Sequence, residues 1–302
     1  MIRVLKYGLV VLIQVLIFQA CSKDDGGDSD TTIEEEVVSV EEKIYTGNII
    51  VTTQQELEDF TVLGYTQIVG DLEISGTDDL SSLQNLNKVT GTFFIQENPD
   101  LKNLIGLSGL KLVDGFMLIN ENDSLVVLDG LENLEIASSL YITSNDNLES
   151  INTFENLVSV GSLKIGYNEK LKTIKDFSTL ERLGLLDIDD NGALTEISGF
   201  PKVTEIRGQA YIQNNTSLPN LAFLSSITRV GITLFIKNNL SLETLTDLSN
   251  LKTIENGCVI ENNTNLKDFC GLQNTEIKSS VYTVTGNEYN PSKEELGTTS
   301  CK

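Results

Sequence analysis

The chain contains no histidine among its 302 residues, which removes His-based catalytic triads and imidazole-ligated zinc from consideration. It also lacks a Gly-rich phosphate loop and a C-x-x-C pair. Carboxylates are what remains for catalysis. Asp187 and Asp189 flank Ile188 in a strand-like run, so both would point the same way, about 7 Å apart. Carboxylates at such a separation can hydrolyse glycosides. A chain with 44 acidic residues, however, makes such pairs by accident. The expectation is therefore a protein that is not an enzyme, with no cofactor and no metal, since no loop with Ca²⁺-ligand spacing occurs either. Against those 44 acids stand 21 Lys and Arg, a formal net charge of −23. A nucleic acid, whose phosphates need a basic surface, is not an expected partner.

A second set of residues has the chemistry of recognition. Phe94, Leu118, Tyr141, Lys164, Asp187, Tyr211, Phe235 and Val259 recur at nearly constant intervals. Each lies between two apolar residues of a short alternating run, so each faces outward. Phe116 stands beside the first three. Aromatic anchors with Lys164, Asp187, Gln96, Gln213 and Lys237 among them would make a binding face. The same residue types also suit strands for structural reasons and stack between neighbours.

What positions these residues is a repeat. The second apolar residue of each run is Ile74, Ile95, Ile119, Ile142, Ile165, Ile188, Ile212, Ile236, Ile260 and Val284, at steps of 21 to 24. Two places earlier stand Leu72, Phe93, Met117, Leu140, Leu163, Leu186, Ala210, Leu234, Cys258 and Tyr282. This is the alternation of a strand with one buried face, repeated in units that cannot bury it alone. The spacing predicts a β-solenoid of parallel single-strand rungs. Three residues after each reference position comes Asn98, Asn122, Asn145, Asn168, Asn191, Asn215, Asn239, Asn263 or Asn287, with Thr77 in the first copy. Stacked amides there can satisfy backbone donors and acceptors that turn away from the sheet; the plainer alternative is that Asn merely tolerates a left-handed corner. Four residues before the reference position, Gly70, Gly91, Gly115, Gly161, Gly184 and Gly208 mark a corner that admits no side chain, Ser138 being an exception. Apolar residues every third place, such as Leu171, Ile174, Phe177, Leu180 and Leu183, predict a far side of turns and short 3₁₀ pieces.

With Leu140-x-Ile142-x-x-Asn145-x-x-Leu148 and the V-x-G-like Val113-Asp114-Gly115, the chain resembles the receptor L domain over residues 48 to 287. This is the leucine-rich-repeat relative found in the ligand-binding lobes of insulin- and epidermal-growth-factor-type receptors. The resemblance implies a right-handed solenoid with a binding role, and the chain departs from those receptors in lacking cysteine-rich modules and a kinase.

The ends carry an address. Arg3 and Lys6, an apolar run from Gly8 to Phe18, and Ala20 before Cys21 read as a signal peptide over 1–20, with Cys21 lipidated as in bacterial lipoproteins. The acidic stretch 21–43 reads as a flexible tether similar to an export signal for the outer surface. Residues 44–302 form the solenoid, closed by capping boxes at Thr53-x-x-Glu56 and Ser292-x-x-Glu295. Cys258 replaces an inward Leu, while Cys270 and Cys301 are placed to form a disulfide that pins the terminal cap. The expected protein is lipid-anchored in a bacterial outer membrane and faces outward. It would bind a protein or glycan at the cell surface or, alternatively, dock structurally on an outer-membrane uptake or secretion complex.

Overall fold

The computed structural model describes residues 42–296. Cys21, the signal peptide, all but the end of the acidic tether, and Cys301 lie outside the described residues. Within them the chain is a parallel β-solenoid of eleven rungs. Their strands are Ile49–Val51, Leu72–Ile74, Phe93–Gln96, Leu112–Asn120, Ile136–Thr143, Ser159–Gly166, Arg182–Asp189, Ala210–Gln213, Thr233–Lys237, Gly257–Glu261 and Val281–Thr285. They define rungs 1 to 11. The reference residues align across the sheet without a slip, from Val51 and Ile74 in rungs 1 and 2 to Ile260 and Val284 in rungs 10 and 11. A one-residue slip would turn every core side chain outward, which is why alternation in the sequence fixes the register.

The triplet spacing builds the far side as expected, in two forms. Rungs 2, 3, 8, 9 and 10 place 3₁₀ turns there, at Ser81–Leu83, Ile105–Leu107, Ala222–Leu224, Thr246–Leu248 and Cys270–Leu272. Rungs 4 to 7 place two-residue strands there instead, Val127–Leu128, Ser150–Ile151, Thr173–Ile174 and Glu196–Ile197, which pair into a second small parallel sheet. A spine of phenylalanines runs inside the core, with ring centroids 5.3 Å apart from Phe154 to Phe177 and from Phe177 to Phe200, and 6.0 Å from Phe200 to Phe223.

Rung length decides the shape of the strand. In rungs 5, 6 and 7 the step from the last buried corner position to the first buried strand position is three, as from Val160 to Leu163, and the strand runs on for eight residues. In rung 4 the step from Val113 to Met117 is one residue longer, and the extra residue makes a bulge between Val113 and Phe116 opposite Ala137 and Ser139. The Gly column passes close to the neighbouring rung. A Cβ on Gly184 would stand 2.0 Å from the carbonyl oxygen of Gly161, so only Gly fits that approach.

The nine ladder asparagines are buried, and their amides work as an interlocking chain. Nδ2 donates to the reference carbonyl one rung back, Asn98 to Ile74 at 3.1 Å, Asn145 to Ile119 at 3.0 Å and Asn191 to Ile165 at 2.9 Å. Oδ1 accepts the backbone N–H of the preceding ladder Asn, 3.1 Å from Asn122 to Asn145 and 3.0 Å from Asn239 to Asn263. The left-handed corner belongs to a different column. Positive φ occurs one residue earlier, at Glu97, Glu121, Ser144, Tyr167, Asp190, Asn214, Asn238 and Asn262, with φ between 53° and 58°. Tolerance of left-handed geometry therefore does not explain the ladder; amide chemistry does.

Both caps are present. Thr53 caps the helix Gln54–Thr61, accepting from the Glu56 N–H at 3.3 Å, while the Glu56 carboxylate accepts from the Thr52 N–H, one residue before the expected partner. At the other end Ser292 and Glu295 exchange both bonds of a capping box around the helix Lys293–Leu296. The ladder itself ends on Asn290, whose Oδ1 takes the Asn287 N–H at 3.0 Å. Cys258 is buried, and burial pushes its thiol up to about 12, in keeping with a small core residue. Cys270 sits half-buried at the turn of rung 10. Its expected partner lies outside the described residues.

Candidate functional site

The outward side of the main sheet places the candidate residues in one row, because each occupies the same register position. Phe94 pairs with Leu118, Leu118 with Tyr141, Tyr141 with Lys164, Lys164 with Asp187, Asp187 with Tyr211, and Tyr211 with Phe235. All are half-buried. Val259 departs from its expected place on the exposed stripe. It is only 8% exposed, a short side chain in register between Phe235 and Thr283.

The row divides into three parts. In rungs 3 to 5, Phe116 forms the hub of an edge-to-face cluster, its centroid 5.9 Å from Phe94 and 4.7 Å from Tyr141. The bulge in rung 4 brings Phe116 into this cluster, on the row beside the stripe. Tyr141 Oη lies 3.3 Å from Ser162 Oγ. In rungs 8 and 9, Tyr211 and Phe235 stack face to face, centroids 4.6 Å apart with a 5° interplanar angle. Lys237 stands over Phe235 at 5.4 Å and pairs with Glu261 at 2.8 Å.

Between the two aromatic groups lies an ion cluster. Lys164 Nζ is 2.8 Å from Asp187 Oδ2 and 2.8 Å from both carboxylate oxygens of Asp189. Gly166 makes this possible: a Cβ there would meet Asp189 Oδ1 at 2.0 Å. Burial pushes the Asp189 carboxyl above its ordinary range against the pull of the Lys164 hydrogen bond, and the charge of Asp187 adds to the rise. Burial also works against the Lys164 ammonium, but the bonds and charges of the two aspartates outweigh it and raise its pKa. The carboxylate pair that could have served glycoside hydrolysis is thus clamped by one ammonium on an open sheet face. Among the described residues no group of three or more potential ligands is placed to hold a metal ion.

Two features of the face were not evident from the repeat pattern. Tyr167 occupies the left-handed corner at φ 57°, half exposed, with Lys164 Nζ 5.4 Å from its ring; the only signal was a bulky aromatic in a column otherwise filled by Glu, Ser, Asp, Asn or Gly. The second is the clamp on Asp189, for which the signal was Gly166 one rung before it in the same register position.

The class defined by this fold is a parallel β-solenoid whose outward sheet face carries two aromatic groups and an ion cluster. Residues 44–176 match the sequence model of the receptor L domain, a family of non-catalytic ligand-binding domains. The matched segment ends within rung 6, and rungs 7 to 11 continue in the same register. No curated protein and no solved structure matches the chain.

Proposed function

We propose that the chain is a surface-tethered, non-catalytic binding module that docks a protein or glycan on the outward face of its sheet. The observation that carries this reading is the half-exposed aromatic cluster of Phe94, Phe116 and Tyr141 on a parallel sheet. Such sheets are ordinarily covered on both faces, and an uncovered apolar stretch rimmed by polar groups is the mark of an interaction surface. Clustered aromatics are also the residues that concentrate binding energy at interfaces. The ion cluster beside them fixes the orientation of Lys164 and Asp187 and presents a rigid polar border. Anchoring through a lipid on Cys21 would hold this face at the cell surface.

The test is crosslinking on intact cells carrying the native chain, a Phe116→Ser/Tyr141→Ser variant and a Phe235→Ser variant, with circular dichroism confirming that each folds. Capture of one ligand by the native chain, lost in at least one variant, is the expected result. Equal capture by all three folded chains would refute the assignment of this face. Capture that persists through high salt and mild detergent would identify permanent docking on a membrane complex.

A further inference from the structure

The two aromatic groups differ in one respect that points to the chemistry of the partner. The Tyr211–Phe235 stack carries its own cation, Lys237, 5.4 Å from the Phe235 centroid and neutralised by Glu261. Tyr167 likewise has Lys164 at 5.4 Å, held by two aspartates. Each is a complete unit of ring, cation and carboxylate. The Phe94–Phe116–Tyr141 cluster has the rings and the carboxylates without the cation. Among the described residues, no lysine or arginine stands over any of its three rings. Lys164, the neighbour of Tyr141 in register, is committed to Asp187 and Asp189.

Carboxylates occupy nearby positions on the same rungs and the rung before. Glu73 stands in register with Phe94 and is held by Gln96 Nε2 at 2.9 Å. Glu121 is held by Asn120 Nδ2 at 3.0 Å, at the corner of the rung that carries Leu118. Glu97 is exposed at the matching corner of the rung that carries Phe94. Among the described residues none of these three meets an ammonium or guanidinium group. Nearby, Asp114 is already paired with Lys88 at 3.2 Å. Aromatic faces and unpaired carboxylates together attract a cation more strongly than either alone, because the ring quadrupole and the carboxylate charge act on the same desolvated group.

Resting on the docking face proposed above, we propose that its occupant is a protein segment that places an arginine or lysine side chain on the Phe94–Phe116–Tyr141 cluster, with its charge met by Glu73, Glu97 and Glu121. The partner thereby supplies in trans what Lys237 supplies in cis five rungs further along. The chain's formal net charge of −23 steers a basic partner toward the surface, and the cluster selects where its cation lodges.

The test uses the full chain with isotope-labelled Phe and Tyr rings, observed by NMR at physiological salt. The probes are acetyl-Gly-Leu-Arg-Leu-Gly-amide, its counterpart with citrulline in place of arginine, and maltoheptaose. The arginine peptide is expected to shift the rings of Phe94, Phe116 and Tyr141 and to bind about fivefold more tightly than the citrulline peptide. A Glu73→Gln/Glu121→Gln variant, which keeps the rings, should lose most of that preference. If the citrulline peptide or maltoheptaose moves the same rings as strongly as the arginine peptide, the face still docks a ligand but the cationic assignment is overturned. If the arginine peptide moves only Tyr211 and Phe235, the location is overturned. If no probe moves any ring at millimolar concentration while crosslinking on cells still depends on Phe116 and Tyr141, the cationic assignment fails and the docking face stands.

Discussion

Truncating one rung of the asparagine ladder measures how far the solenoid depends on side-chain amides rather than on its apolar core. Asn168 lies mid-stack with no solvent exposure. Its Nδ2 donates to Ile142 O and Gly166 O, both at 3.0 Å, and its Oδ1 accepts the Asn145 N–H at 3.1 Å. Asn168→Ala leaves the Ile142 carbonyl and the Asn145 N–H without these partners in a place closed to water, while the Gly166 carbonyl keeps the Ser144 N–H at 3.2 Å. Each stranded group costs about 1–3 kcal/mol, and partial relaxation recovers some of that. The expected loss is about 2–4 kcal/mol. Asn147→Ala is the control, because its one hydrogen bond, Nδ2 to Asp123 O at 2.7 Å, is exposed and its loss should cost less than about 1 kcal/mol. Urea unfolding followed by circular dichroism gives the stabilities. Hydrogen exchange at the Asn145 amide gives the local effect, which matters because a stacked array can lose cooperativity between its rungs. If Asn168→Ala cost no more than Asn147→Ala, with the Asn145 amide still protected, the ladder would be a consequence of the fold and not one of its causes.

The column one residue before the ladder should respond in the opposite direction. Ser144 has φ 54°, so Ser144→Gly is expected to stabilise by about 0.5–1 kcal/mol by relieving left-handed strain, and a comparable loss on urea unfolding would refute the placement of the strain. The Asp189 carboxyl, pushed up by burial, binds its proton more tightly in the folded state. Its contribution to stability therefore falls as pH climbs from the unfolded value of about 3.9 through the raised folded one. The stability of Asp189→Asn relative to the parent should rise over that window and then level off, and a difference constant with pH would show that burial does not govern this group. Cys270 and Cys301 are expected to form a disulfide. Alkylation of the folded chain should then leave Cys270 unmodified until reduction, with Cys258, its thiol pushed up to about 12, protected until unfolding; alkylation of Cys270 without reductant would refute the pairing.

The sequence revealed the periodic part of the structure because that part is set by burial, and burial repeats. Ile142, Ile165 and Ile188 face inward for the same reason in every rung, so the strands, their register and the Asn corners were all readable from spacing. The outward face resisted the same reading because contacts between rungs are not periodic. Lys164 is an outward residue like Tyr141 by position, yet it is withdrawn into an ion cluster because Gly166 leaves room for Asp189. Val259 holds the same register position as Phe235 yet is covered, a short side chain with the larger Phe235 ring beside it in register. Phe116 reaches the aromatic cluster through one extra residue before its strand, the step of four from Val113 to Met117 that opens a bulge. The same step of four recurs elsewhere, as from Val89 to Phe93 and from Ile206 to Ala210, and what sets rung 4 apart is that it adjoins the step of three from Ala137 to Leu140. Counting residues within each rung, and not only between rungs, therefore extends what spacing can reveal: where a step of four meets a step of three the register must shift, and the shift between rungs 4 and 5 is where Phe116 comes together with Phe94 and Tyr141.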